Sequence, residues 1–496
     1  MAELSVGIGQ QYKTLDAAHA ASKSGDTVIV HPGVYKDNLS PKAGVTWRGL
    51  PGAALDGGWN WATQKVTEDE AKANQVLINQ PDVSLIGFEI RNVRGKGVNV
   101  AAGGDGFLME NCYIHHTANG GFGANGTGTP INGLTIRNCR LEYLSLTGQW
   151  YETPVNGCCL FRYVAGLKVE NLDIRYGCGE GFALGPYTDG VVRWLRVGDT
   201  KHLGVYGFNR ARNVLFEDCV IYQTGDPEWR QGDGHVGSGF VFGDEVSGTK
   251  WAKGPRGDDA ILRRCITINT GGCVEIRNQR KFAANGNPDG YDTRPDSLLI
   301  ENCTFIAGPD TRRGVIVAEN EWGGQVRGTF RRNLFILDRM ADGGAALRSN
   351  AAGVRFDDNA WSSGVPASLP GSNHPVAASA LVAPFATFDG DLNLDNYRPV
   401  AGGPLDGAGY GALGPLPVEP PPPDDDEPPV DPPPDPDPEP DPEPSPVDWP
   451  ALRALAADAL LVAATASLAA EDAVRELQAL DNRIREYELA AESGEE

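Results

Sequence analysis

Three carboxylates suggest the first chemistry to look for. Asp244, Glu275 and Glu319 fall at comparable offsets in or just after the successive apolar runs GFVF, CVEI and GVIVA. Residues recurring in this way on stacked strands line up about 4.8 Å apart per step along one face. Asp244 and Glu275 are therefore expected one step apart, and Asp244 and Glu319 two steps, or roughly 10 Å. Carboxyl pairs about 5 to 9.5 Å apart perform acid/base glycoside hydrolysis. The same alignment puts Asn209 and Asn278 in the column of Asp244 and Glu319, Tyr206 in the column of Glu275, and Phe208 in that of Arg277. With Trp229 and His235, the residues Tyr206, Phe208, Asn209 and Arg277 make up the expected substrate-binding set, the aromatics suited to stacking on sugar rings. The long insertions 223–259 and 278–297 border this face, and irregular loops beside a rigid sheet are commonly where binding happens. A purely solvated row of strand-end polar groups is the alternative, and spacing alone leaves both open.

The elements that would position these residues are read from a second recurrence. The frame apolar-x-apolar-x-x-Cys-x-apolar appears as FLMENCYI, LTIRNCRL, VLFEDCVI, AILRRCIT and LLIENCTF, centred on Cys112, Cys139, Cys219, Cys265 and Cys303. Phe88, Leu172 and Leu195 fill the same slot in three more copies, and GTFRRNLF, centred on Asn333, is a weaker ninth. Centres lie 23 to 46 residues apart, as expected for short strands whose corner loops lengthen freely. Alternation before the slot buries one face, and the two-residue step suggests a bend. One repeat cannot bury its face alone, but stacked copies can. The expected fold is all-β, a right-handed parallel β-helix. Its slot cysteines are small apolar core residues, and Asn111, Asn138, Asn171 and Asn302 sit at the bend, where Asn tolerates left-handed backbone angles. His115-His116 reads as a turn, since no further ligands follow at metal-binding spacing. No metal and no cofactor is expected.

The chain has 496 residues, 63 of them glycine, and a formal charge of −23. Residues 415–450 hold twelve acids and no Lys or Arg, and 451–496 hold ten acids and four arginines, which leaves the first 414 residues at −5. No stretch clusters Lys and Arg as phosphate contacts require, so nucleic acid is not an expected partner. The longest apolar stretch, Leu455 to Ala470, is interrupted by Asp458 and falls short of the ~20 residues that span a bilayer. A membrane is not expected either. MAELSVGIGQQYKTLD lacks the basic and apolar regions of a Sec signal, so the nine cysteines are expected as reduced thiols.

The opening VGIGQQYKTLDAAHAASKSGDTVIVHPGVYKDNLS resembles the start of the right-handed β-helix, pectin-lyase-like superfamily: a short capping helix, Gly-Asp-Thr, a strand and Pro-Gly-x-Tyr. The later segment FDGDLNLDNYRPVAGGPLDGAGYGALG resembles the tail that often closes such coils. The resemblance covers roughly residues 2–414 and implies the fold. The superfamily holds polysaccharide lyases, glycoside hydrolases, bacteriophage tailspikes and proteins without known catalysis, so the resemblance leaves hydrolase, lyase and non-enzyme open. A lyase would need a Lys, Arg or His base; Lys201-His202 and Lys281 are candidates that match no family pattern.

Beyond the expected 1–414 domain, residues 415–447 read as a Pro/Asp/Glu spacer, extended at ~3.1 Å per residue. Residues 448–496 read as one amphipathic helix, with Leu452, Leu455, Ala459 and Val462 opening a 3-4 stripe that needs partner helices. A β-helix on a stiff tether, ending in an assembly helix and lacking an export signal, suits a particle-borne appendage. The expected function is a virion or tailspike-like protein that binds and cleaves, or only binds, a cell-surface polysaccharide, and that self-associates or docks through its last helix. A non-catalytic decoration protein and a bacterial lyase or hydrolase exported by a non-Sec route are the alternatives.

Overall fold

The computed structural model describes residues 1–413 except 68, 127–128, 147–156, 186, 209–212, 225–236, 245–259, 279–297, 319–327, 341–344, 350–352, 367–368, 370–371 and 386–391. Contacts divide the chain into Met1–Pro415 and Leu416–Glu496; the second unit, with the expected spacer and final helix, lies outside the described residues. No described helix is long and apolar enough to cross a membrane.

Nearly every strand pairing among the described residues is parallel, joining each strand to its counterpart one coil later. The capping helix α1 (Leu15–Ala21) opens the stack, its first turn closed by Thr14, whose side chain accepts from the Ala17 amide. Most coils then carry three walls. Wall 1 begins at Glu3–Val6 and ends at Val354–Asp357; wall 2 begins at Gly33–Tyr35 and ends at Asn373–Pro375. Three strands, Thr135–Leu144, Leu167–Gly177 and Gly190–Thr200, run unbroken through both walls. Wall 3 is a separate ten-stranded sheet from Asn74–Ile78 to Ala345–Ser349, built from the second apolar runs of the repeats.

The cysteine slot is the inward position just past the corner between walls 1 and 2. Phe88, Cys112, Cys139, Leu172, Leu195, Cys219, Cys265 and Cys303 are all buried there, and the nine cysteines are all free. Burial pushes the Cys219 and Cys303 thiols well above the usual range, as expected of core residues with no role as thiolates. In the ninth copy Asn333 sits in the slot, fully buried. Its amide nitrogen donates to Ile300 O (2.9 Å) and its oxygen accepts from the Cys303 amide (2.9 Å), so an asparagine bonded on both sides replaces a thiol. The residue before the slot turns the corner: Asn111, Asn138, Asn171 and Asn302 take φ of 52°, 54°, 53° and 53°. Toward the end of the stack the outer face of wall 2 turns apolar, with Ile266, Ile268, Ile306 and Ile336 covered by Leu381, Tyr397, Leu405 and Ala412 of the closing tail.

Candidate functional site on the third wall

Register on wall 3 tests the alignment of the carboxylates. One outward row runs Asn99, Gly123, Leu160, Ala183, Tyr206, Val241, Glu275. Tyr206 and Glu275 thus share a row, Phe208 lies in line with Gly243 and Arg277, and Asp244 pairs with Asn278, as the offsets predicted. Asp244 is on the strand next to that of Glu275 but three residues further along, a shift of about 10 Å at the rise of a strand. Asn209, Glu319, Trp229, His235 and Lys281 lie outside the described residues, as do the side chains of Phe208, Asp244 and Arg277.

Two members of the expected set have described side chains, and neither faces solvent. Tyr206 is 5% exposed and packs with Leu160, Ala183, Leu203 and Val241. Glu275 is 4% exposed and accepts a hydrogen bond from Ser238 Oγ at 3.0 Å. The expectation of an open groove through these two residues is therefore corrected. An outward position flanked by Leu160, Ala183 and Val241 builds a second apolar layer instead of a wet surface. Lys201, named as a lyase base, is also buried.

The same wall holds a site that the repeats did not reveal. Lys96 opens the strand Lys96–Ala101, and Arg162 closes Cys159–Arg162, two strands away in the sheet. The Lys96 ammonium lies over Gly123: a Cβ there would stand 3.0 Å from Nζ, so a larger residue would make the lysine shift by a few tenths of an ångström. Glycine inside a strand often marks such a close approach, and Gly123 in GFGA was the one sequence signal available. Burial pushes the Lys96 amine below its usual range, and the Arg162 guanidinium pushes it the same way. Arg162 is itself lowered by burial, against which Glu180 acts. No carboxylate among the described residues ion-pairs with Lys96. Asn99 Oδ1 stands beside the same gap over Gly123. Two desolvated cations near one another favour an anion, and a lysine depressed in this way gives up its proton more readily than an exposed one.

Wall 1 arranges its charges differently. Two residues before each slot, the outward row reads Glu110, Arg137, Glu170, Arg193, Glu217, Arg263, Glu301, Arg331, Asp357, alternating in sign at every coil. Arg137 meets Glu110 at 2.8 Å, Arg193 meets Glu217 at 2.8 Å, and Arg263 meets Glu301 at 2.8 Å, while Arg331 also bonds Glu301. Burial pushes Glu301 up, but Arg331 and Arg263 outweigh it and hold the carboxyl below its usual range. At the next corner His116 turns with φ of 53°, the turn expected of His115-His116, and its ring stacks on Tyr143, which stacks on Tyr176.

The family described as right handed beta helix region matches residues 74–244. Among solved structures, the pectate lyase Pel9A is similar with a TM-score of 0.51 at 14% identity, over 84% of this chain and 97% of that one. XylC in complex with xylose is similar with a TM-score of 0.51 at 10% identity, over 75% of this chain and 86% of that one. The chain is a right-handed parallel β-helix of the pectin-lyase-like fold. No curated protein matches it. At such identities the β-helix likeness is one of fold, so what this β-helix does has to be argued from its own side chains.

Proposed function

We propose that the outer face of wall 3 binds a linear acidic polysaccharide, whose carboxylate is taken by Lys96 and Arg162. The observation that carries this reading is the pair of half-buried cations, with Lys96 free of any described counter-ion. Beyond Asn99 the outward row is buried in the apolar layer of Leu160, Ala183 and Tyr206, so the contact is made at the Lys96–Arg162 end of the wall. β-Elimination from a uronide would divide the pair: the Arg162 guanidinium alone neutralises the carboxylate, and Lys96, in its neutral form, takes the proton on the adjacent ring carbon. The carbon–oxygen bond to the leaving sugar then breaks as the double bond forms, and solvent protonates the released oxygen.

The test is titration with polygalacturonate and alginate against a neutral glucan, with ultraviolet absorbance to detect the unsaturated product. Binding of the acidic polymers alone supports the site, and an unsaturated product adds elimination. Equal or no binding of all three overturns it. Cleavage without an unsaturated product would favour hydrolysis over elimination.

The particle-borne setting is proposed on composition alone, from the Pro/Asp spacer and the apolar stripe of 448–496. Removing 448–496 should reduce the mass of the particle in solution to that of one chain; an unchanged mass would end that proposal.

A further inference from the structure

The corner between walls 1 and 2 holds one left-handed residue in coil after coil: Asn138, Asn171, Trp194, Asp218, Arg264, Asn302. Asn and Asp bear that conformation because their short polar side chains bond locally. Arg264 is anchored there by two bonds to Asp218, at 2.7 and 2.9 Å. Trp194, with φ of 54°, is different: it is 53% exposed. Bulky residues held in this region against their preference cluster at sites of function.

What lies beside Trp194 indicates the ligand. One coil on is the Asp218–Arg264 pair, and beyond it a cleft of about 440 Å3 opens between Arg263, Arg264, Asn302 and the tail segment 399–413. That segment is fastened to the coils: Asn302 Nδ2 donates to Gly409 O (2.6 Å), the Ala412 amide to Thr304 Oγ1 (2.9 Å) and Tyr410 Oη to Asp358 (2.6 Å). The cleft is thus preformed, and its size suits a small ligand. Its charges are matched within the site, Arg263 by Glu301 at 2.8 Å and Arg264 by Glu217 at 2.9 Å, so nothing in it selects an anion. Paired guanidinium and carboxylate groups offer donors and acceptors together, as a ring of hydroxyls requires. From Trp194 to Arg264 is two coils, roughly 10 Å.

We propose that this corner is a second carbohydrate site, in which the end of a neutral oligosaccharide stacks one ring on Trp194 and reaches with its hydroxyls to the Asp218–Arg264 pair and the cleft beyond. It is independent of wall 3 and of the acidic polymer proposed there. The decisive variant is Trp194→Asn, which gives the corner the residue that Asn111, Asn138, Asn171 and Asn302 supply in other coils and therefore keeps the fold. Calorimetric titration with cellobiose, maltose, lactose and xylobiose should show binding of at least one by the full chain. Trp194→Asn should weaken that binding about tenfold or more, with an unchanged or higher melting temperature. The proposal is overturned if none of the four binds, if the variant binds as well as the parent, or if it melts markedly earlier, since Trp194 would then be a packing residue.

Discussion

Wall 1 and wall 3 carry charged side chains outward from the same coils, yet treat them in opposite ways. On wall 1 every coil from Glu110 to Asp357 answers the sign of its neighbour, and Glu301 is gripped by arginines from both sides. On wall 3 two cations stand together, and Lys96 has no carboxylate partner among the described residues. A matched row needs nothing from outside and serves to hold the coils in register. A lysine without a described carboxylate partner, in a desolvated place beside a guanidinium, is unfavourable for the fold, and that cost is why the proposed ligand is placed there.

The contrast can be broken at either wall. The largest effect is expected from Lys96→Met combined with Arg162→Met: affinity for polygalacturonate should fall about 100-fold or more. The single Lys96→Met should at the same time stabilise the fold by about 1 kcal/mol, because a desolvated charge is gone; a lower melting temperature would make Lys96 a structural residue. On wall 1 the sign reverses. Glu301→Gln leaves Arg263 and Arg331 facing each other without their carboxylate and should cost about 2 kcal/mol, discounted for the partial exposure of the arginines, measured by urea unfolding.

Acid titration sharpens the same difference. Glu217 and Glu301 are held below their usual range in the folded state, burial opposing and arginine contacts prevailing. Their contribution is present above about pH 4 and is lost as the pH falls through the lowered folded values, so the urea midpoint should drop there, and less steeply in Glu301→Gln. Lys96 acts the other way: as the pH rises through its depressed value the fold is relieved of a half-buried charge, while the proposed acidic polymer loses its anchor. Affinity should therefore decline on the alkaline side in the parent and stay flat in Lys96→Met. The smallest effect is expected from Cys112→Val, Cys139→Val or Cys303→Val, under about 1.5 kcal/mol and without change in binding, since each swaps one small apolar core residue for another.

Much of the fold could be read from recurrence. The slot cysteines and the corner asparagines repeat a residue type at a structural position, and the described members of the wall 3 columns share the register their offsets implied, whereas the capping helix was legible only through the likeness of the opening segment. Burial of Tyr206 and Glu275 was not legible, because alternation says which side chains leave the core but not what covers them. Lys96 and Arg162 are in different repeats with no shared frame, and Lys96 stands over the neighbouring strand only because its long side chain reaches Gly123. The charge row was in plain view: Glu, Arg, Glu, Arg stand two residues before the slot in FLMENC, LTIRNC, LKVENL and VVRWL. It becomes a pattern only when neighbouring coils, not neighbouring residues, are compared.

That alternating row sets a rule for how the stack can grow. Its sign repeats every second coil, so excising any one coil between Glu110 and Asp357 would press two carboxylates, or two guanidinium groups, against each other at the spacing of adjacent strands. Two consecutive coils can be removed or duplicated with the sequence of signs intact. For this stretch the unit of inheritance and of engineering is the pair of coils, and its length changes in double steps.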